Sequence, residues 1–224
     1  MTSLYLYALL AARPRRGGGR GLGGQPLVFV SSGRLVVAAE PMAGAPPLAA
    51  AILRKHDAII RRLARLVPAL LPFRMGTLVA DRSALAALLA SRSSELIRAL
   101  ALVRGREQMT VRLYGQRHES ETKQRRDRAH GPGTRYLSAR RPPPVESIPG
   151  YTSWRSRLDT FVRAERVEGS LSPPLLASIY HLVERGQRPA YVRALRRASP
   201  LVPGVRIQLS GPWAPYAFVP ESAG

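Results

Sequence analysis

Cysteine is absent from the 224-residue sequence, and so are long apolar runs. The lack of thiols excludes disulfide bonds and thiolate metal sites. No apolar run reaches the roughly 18 residues that a membrane-spanning helix needs. The first apolar stretch is followed, not preceded, by arginines, which is the reverse of a secretory signal. We therefore expect a cytoplasmic protein that has no membrane partner.

Lysine and acidic residues are also scarce. Only Lys55 and Lys123 are lysine among 35 basic residues, and 14 acids leave a formal net charge of +21. A chain this basic should attract polyanions, so a nucleic-acid-associated α+β protein is one alternative function. The arginines do not gather beside aromatic residues in a recognisable nucleic-acid-reading motif. We therefore expect no specific nucleic acid partner.

Motifs for catalysis and metal binding are missing as well. The four histidines are scattered, and no second histidine or carboxylate cluster stands at ligand spacing. The sequence has no nucleophile elbow, zinc-protease motif or nucleotide fingerprint. His56 and His181 fall within apolar patterns, where packing or hydrogen bonding is more common than ligand binding. The sequence therefore predicts a protein that is not an enzyme and has no catalytic, cofactor-binding or metal-binding residues.

The pattern of apolar residues predicts an α+β fold in two domains. For residues 1–115 the pattern predicts a strand, a hairpin, a helix, an interrupted strand, a second helix and another strand. This order is close to a ferredoxin-like α/β sandwich with helices over one face. Residues 116–150 combine charge, proline and glycine without periodicity, which is typical of a linker. Residues 151–224 predict a smaller C-terminal α+β domain.

Local signals within these domains are of several kinds. The Gly/Arg-rich run 13–26 predicts a flexible loop with no means of packing. The strand after Pro68 is expected to break or bulge at Pro72 and Gly76. Asp81 and Ser83 are plausible N-caps for a helix that extends to about residue 104. Residues 153–168 are predicted to be helical.

Three blocks of the sequence resemble the gas vesicle protein F/L family. They are the opening LYLYALL, the long run RKHDAIIRRLARLVPALLPFRMGTLVADRSALAALL, and the ending IQLSGPWAPYAFV. The runs GPGTRYL and IYHLVERGQRPAYVRAL also fall where family members carry related motifs. The resemblance marks as family-signature or structural positions the residues His56, Asp57, Arg74, Gly76, Thr77, Gly211, Pro212, Trp213, Pro215, Tyr216 and Phe218.

The resemblance implies an accessory protein for gas vesicle assembly. Members of the family are cytoplasmic, associate with the vesicles that give cells buoyancy, and bind the small hydrophobic shell protein and other gas vesicle accessory proteins. No catalysis and no cofactor are implied. On this basis we expect the chain to bind shell protein and accessory proteins during organelle formation.

The tail around Trp213 leaves two alternatives open. Pro212 and Pro215 fix the backbone on either side of the ring, which makes this aromatic segment rigid. In the first alternative the tail folds back and docks Trp213, Tyr216 and Phe218 on the protein, bridging the two domains or completing the second core. In the other, the same aromatic residues face outward as a hot spot for a shell subunit.

Overall fold

The computed structural model describes residues 3–116 and 144–220, and this part of the chain divides into two compact units. The first unit is Met1–Glu107 together with Trp213–Gly224, and the second is Gln108–Pro212. These boundaries differ from those expected from the sequence. The strand near residue 110 contributes mainly to the second unit, and the tail after Pro212 belongs to the first. Most of the expected linker, residues 117–143 with the GPGTRYL run, lies outside the described residues.

The first unit is a five-stranded antiparallel sheet with three helices. Its strands run in the order β2-β3-β1-β4, and β5 also pairs with β1. The elements are β1 (Ser3–Leu10), β2 (Val28–Ser32), β3 (Leu35–Met42), α1 (Ala50–Leu66), β4 (Leu70–Pro72), β5 (Leu78–Val79), α2 (Arg82–Ser91) and α3 (Ser93–Val103). The order of the four main strands is that of a ferredoxin-like sheet, but residues 11–27 stand where its first helix would be.

Helices cover both faces of this sheet, whereas the sequence pattern suggested one face. Tyr5 and Tyr7 of β1 share a buried cluster with Ile60 and Leu63 of α1. The β1 residues of opposite orientation are buried too, and α2 and α3 contact the sheet through β2, β4 and β5. Because β1 is central and covered on both faces, it is an almost continuous apolar run rather than an alternating one.

The interrupted edge strand is confirmed. Residues 8–10 of β1 pair with β4, and residues 4–5 of the same strand pair with β5, so two short strands share one neighbour. Residues 73–77 form a turn between them whose two ends still bond to β1, since Phe73 N donates to the carbonyl of Tyr7 and Leu6 N donates to that of Thr77. Asp81 caps α2 as expected, since its Oδ1 accepts a 2.8 Å hydrogen bond from Ala84 N. The single predicted helix is broken at Arg92, which divides it into α2 and α3.

The second unit has a four-stranded sheet in the order β7-β8-β6-β9. Its described elements are β6 (Arg106–Tyr114), a 3₁₀ turn (Val145–Ser147), α4 (Tyr151–Ser156), β7 (Val162–Gly169), β8 (Leu175–Glu184), α5 (Arg188–Ala198) and β9 (Arg206–Trp213). Within the described residues the order is strand, helix, strand, strand, helix, strand, the ferredoxin-like sequence of elements. The α+β prediction is therefore confirmed for both units, and the fuller ferredoxin-like arrangement is in the second.

The prediction of a helix at 153–168 is wrong in its second half. The helix α4 ends at Ser156, and after a turn the chain forms β7, which pairs antiparallel with β8 along its length. Trp154, Leu158 and Phe161 have helical spacing but contribute to the core from a short helix and a turn. Strand pairing, which the sequence of one segment cannot show, decides the structure here.

In the described ranges no helix combines the length and apolar character that crossing a bilayer requires.

Candidate functional site

Two signature residues of the first unit, the buried His56 and Gly76, are joined through the hydroxyl of Tyr5. His56 lies on the inner face of α1, and its Nδ1 is 3.0 Å from the hydroxyl oxygen of Tyr5. That hydroxyl also accepts a 3.2 Å hydrogen bond from the backbone N–H of Gly76. One tyrosine on β1 therefore joins the helix to the loop between β4 and β5.

The loop itself is a tight turn that depends on Gly76. The N–H and the hydroxyl of Thr77 both donate to the carbonyl of Arg74, at 3.2 and 2.8 Å. Gly76 has a φ of +93°, a conformation that favours glycine over other residues. The Arg74 side chain is exposed. The signature sequence here builds a turn that is tied to β1.

Burial keeps the His56–Tyr5 pair neutral. It lowers the pKa of His56, and the nearby Phe73 backbone and Asp57 oppose this only in part. Burial likewise raises the pKa of Tyr5. Because Tyr5 accepts from Gly76, its own proton is available to His56 Nδ1. His56 thus has the hydrogen-bonding role that the sequence favoured over a ligand role.

Asp57 and Arg61 form an ion pair one turn apart on the exposed side of α1. The guanidinium of Arg61 also lies 5.9 Å from the centre of the Trp213 ring, within cation–π range. Asp57 and Arg61 both influence the hydroxyl of Tyr216, whose pKa is raised mainly by burial. Two segments that are distant in sequence, 57–61 and 213–216, therefore form one surface.

The tail is docked in part and exposed in part. Ala214 belongs to the buried cluster around α1, and Phe218, in a 3₁₀ turn against β4, is 3% exposed. Pro215 is buried, Trp213 is half-buried and Tyr216 is 37% exposed. The tail therefore joins the core of the first unit. The sequence-based suggestion that it completes the second core is wrong.

Gly211 and Pro212 occupy the end of β9, before the chain enters the first unit. Gly211 has a φ of +115°, which again favours glycine. The peptide bond between the two residues is cis. The C-terminal signature residues are thus divided between the last strand of the second unit and the tail of the first.

A buried carboxylate that the sequence reasoning missed organises the Gly/Arg-rich loop. Glu40 on β3 is fully buried and accepts hydrogen bonds from Tyr7 Oη at 2.7 Å and from the N–H groups of Gly23 and Gln25 at 3.2 and 3.0 Å. The Tyr7 hydroxyl in turn accepts a 2.8 Å hydrogen bond from Leu22 N. The prediction of a loop without contacts is therefore wrong.

Arg62 fixes the same loop from α1. Its Nε donates to the carbonyl of Gly18 at 2.8 Å, and its Nη2 donates to the carbonyl of Arg20 at 2.6 Å. Glycine allows the loop to approach closely, because a Cβ on Gly21 would lie 2.1 Å from the Glu40 carboxylate. The only sequence signal was a lone acidic residue inside the apolar strand LVVAAEPM, and it did not indicate its partners.

The second unit has a buried histidine of its own. His181 on β8 is fully buried, with Nδ1 2.8 Å from Tyr191 Oη and Nε2 2.7 Å from Glu165 Oε2. Trp154 stacks on the imidazole at 6.2 Å between ring centres, and Arg155 Nε lies 2.5 Å from the same Glu165 oxygen. This network joins β7, β8, α4 and α5.

The charges in this network are balanced. Burial lowers the pKa of His181 and would raise that of Glu165, but His181 and Arg155 together lower the pKa of Glu165 below its usual value. Glu165 is therefore ionised, and neutral His181 donates to it through Nε2 while it accepts from Tyr191. The arrangement stabilises the unit, as expected for a core histidine.

No metal-binding group of three or more histidines and carboxylates is present among the residues that the structure describes. The histidines at 56 and 181 are both held inside cores by tyrosine hydroxyls. The signature residues that are exposed or partly exposed include Arg74, Trp213 and Tyr216, which are residue types common in binding surfaces.

Comparison with known proteins decides the family. The sequence profile described as "Gas vesicle synthesis protein GvpL/GvpF" matches residues 3–142 and 151–220. This chain belongs to the GvpL/GvpF family. The match includes both units and the tail, and so all the signature residues named above.

Individual relatives agree with this assignment. The chain is 29% identical over 252 aligned positions to gas vesicle protein L of Streptomyces sp. (strain CB03234), with 96% of this chain and 91% of that protein covered. Its fold is similar to the crystal structure of GvpF from Anabaena sp. PCC7120, with a TM-score of 0.74, 15% identity and coverage of 98% of this chain and 97% of the other. GvpF from Microcystis aeruginosa gives a TM-score of 0.73 at 14% identity, with 97% and 99% covered.

Proposed function

We propose that this GvpL/GvpF protein assists gas vesicle assembly by binding the small hydrophobic shell protein and other gas vesicle proteins. Family membership supports the gas vesicle role, and the partly exposed aromatic tail supports a binding role. The proposal assigns shell-protein binding to the tail surface, which comprises Leu53, Asp57, Arg61, Trp213 and Tyr216.

The tail surface has the composition of a binding hot spot. Trp, Tyr and Arg are the residue types that contribute most often to hot spots in protein interfaces. Leu53 is 44% exposed and precedes Asp57 and Arg61 at intervals of four residues, so it lies on the same stripe of α1. An apolar partner would find two aromatic rings and a leucine beside a neutralised ion pair.

The rings are also held in place before any partner binds. Ala214, Pro215 and Phe218 are buried on either side of Tyr216 and hold the backbone of the tail against the first unit. Binding would therefore order few additional groups, and less of the interaction free energy would be lost as entropy. A rigid tail therefore loses less conformational entropy on binding than a flexible tail would.

Co-purification with the shell protein tests the proposal. The full chain should retain the shell protein at roughly 0.5 M salt, where attraction between exposed charges is largely screened. Leu53→Ser should reduce recovery, while Leu171→Ser, which changes a leucine of similar exposure in the second unit, should leave it unchanged. Equal recovery with both variants would remove the tail surface from the proposal, and no recovery with the unmodified chain would refute the binding function.

A further inference from the structure

The helices α4 and α5 share a buried core with one face of the second sheet, and the opposite face carries a different set of side chains. Met109, Val111 and Leu113 of β6 point into the core with α4 and α5, so the alternate residues of β6 point to the opposite face. The same alternation places Tyr180 of β8 there. On β9, Ile207 and Leu209 pack against the core, which leaves Arg206 and Gln208 on the opposite face.

Cations and aromatic rings alternate across this face. Arg166 of β7 is the cross-strand partner of Tyr180, and Arg112 is close enough to the Tyr180 hydroxyl to lower its pKa, although burial raises it overall. The guanidinium of Arg206 lies 4.4 Å from the centre of the Tyr114 ring. We name these five residues, Arg112, Tyr114, Arg166, Tyr180 and Arg206, the arginine–tyrosine face.

The face is accessible where these residues lie. Arg112, Arg166 and Arg206 are exposed, and Tyr114 and Tyr180 are partly exposed. The other end of the same face, at Gln108 and Leu182, is buried. The accessible part therefore includes residues of all four strands but excludes the end at Gln108 and Leu182.

We propose that the arginine–tyrosine face binds single-stranded nucleic acid without sequence preference. Three arginines can neutralise backbone phosphates, and the planar guanidinium of Arg206 and the partly exposed rings of Tyr114 and Tyr180 offer surfaces for base stacking. A flat sheet with basic and aromatic side chains suits unpaired bases, whereas a duplex would hide its bases from the tyrosines. The net charge of +21 draws polyanions toward the chain in general.

An acidic peptide is the competing occupant, since carboxylates also pair with arginine. Two features favour nucleic acid. The tyrosine rings have no role in carboxylate binding, and Glu168 holds the Tyr180 hydroxyl at 2.7 Å on the same face. A carboxylate there repels an acidic peptide, in which the side chains are anionic, whereas a single strand can place its uncharged bases beside it.

The test is fluorescence anisotropy of the full chain with a labelled oligodeoxythymidylate of about twelve nucleotides, within the site size of known single-strand binders. The double variant Arg112→Gln/Arg166→Gln should weaken binding by roughly tenfold or more. The control Arg196→Gln/Arg197→Gln removes the same charge from exposed positions of α5 and should have a much smaller effect. Tyr114→Leu should weaken binding and Tyr114→Phe should not.

The dependence on salt gives a second measure. Three phosphate contacts on a single strand predict a slope of about −2 for log K against log salt concentration. Equal losses from the two double variants would reduce the effect to net charge and overturn the proposal. Undetectable binding at low salt would also overturn it. If a labelled polyglutamate peptide bound equally well and Tyr114→Leu had no effect, the face would instead be an acidic-peptide site.

Discussion

The hydroxyl of Tyr7 donates a 2.7 Å hydrogen bond to the buried carboxylate of Glu40. Tyr7 lies on β1 and Glu40 on β3, so the bond connects neighbouring strands on the side of the sheet that faces α1. Both side chains also accept hydrogen bonds from backbone N–H groups of the Gly/Arg-rich loop. A loop that is arginine- and glycine-rich in sequence is therefore fixed by one tyrosine and one acid, in addition to Arg62.

Replacing Glu40 by glutamine should destabilise the first unit. The amide keeps the size of the side chain but offers one acceptor oxygen where the carboxylate accepts three hydrogen bonds. We expect a loss of about 2–3 kcal/mol in the free energy of unfolding, measured by urea denaturation. Glu168→Gln, at an exposed position, is the control and should change it little. If the two variants were equally stable, the role of Glu40 in the loop would be wrong.

Gly21→Ala should also destabilise the loop, through a steric clash. The added Cβ would lie 2.1 Å from Glu40 Oε2 and 2.7 Å from Tyr7 Oη. Neither glycine of the pair Gly17 and Gly21 has a positive φ, and a Cβ on Gly17 meets nothing within 4 Å. We expect Gly21→Ala to cost about 1–3 kcal/mol and Gly17→Ala to be neutral or slightly stabilising. The melting temperatures of the two variants, measured side by side, test this difference in stability.

Gly150→Ala is expected to be the more damaging change of a second glycine pair. Gly150 and Gly186 both have positive φ, at +78° and +85°, so alanine is strained at either position. Only at Gly150 does the new Cβ also meet a backbone atom, the carbonyl oxygen of Leu201 at 1.7 Å. Gly186→Ala should therefore cost about 1–2 kcal/mol, and Gly150→Ala distinctly more. Similar unfolding midpoints would contradict this structure of the turn before α4.

Buried His181 should make the protein less stable in mild acid. Burial holds its folded pKa below the ordinary 6.5, so the unfolded chain takes up a proton first as the pH falls. Stability is then complete above about pH 6.5 and declines below it until the folded pKa is reached. The lowered pKa of Glu165 adds a further loss as the pH falls below 4.5 through its folded value.

His181→Gln removes the titrating group and should flatten this dependence. The variant will be less stable overall, but the slope of unfolding free energy between about pH 6.5 and pH 5 should fall by up to about 1.4 kcal/mol per pH unit. His56, whose pKa is also lowered by burial, supplies the remaining slope. Urea denaturation at several pH values measures it, and an unchanged slope would show that His181 does not titrate in this way.

Much of the fold was predictable because its signals are local. Asp81 is a cap whose partner is three residues away. Pro72, which has no N–H, and Gly76, which adopts a positive φ, interrupt a strand through their own backbone properties. The hairpin of β2 and β3 follows from the turn signal Ser31-Ser32-Gly33 and the β-rich runs on either side, and the turn itself is at Gly33 and Arg34. Sequence reasoning works at such positions because the cause and the effect lie within one segment.

Longer-range features could not be read in the same way. Val162–Gly169 becomes a strand because β8 is available to pair with it, and the partners of Glu40 lie 15 or more residues away. The tail after Pro212 joins the first unit although it follows the last strand of the second in sequence. The signature residues were found by resemblance, but the structure was needed to show that Asp57 of α1 and Trp213 of the tail lie on one surface.

The dissociation constant of the shell protein for the Trp213→Ala chain tests the central claim most directly, measured beside the unmodified chain on immobilised vesicle shells. Trp213 is half-buried, so melting curves must first show that the variant remains folded. The account predicts at least about tenfold weaker binding, as expected for the loss of a hot-spot tryptophan. Unchanged binding by a folded variant would contradict it.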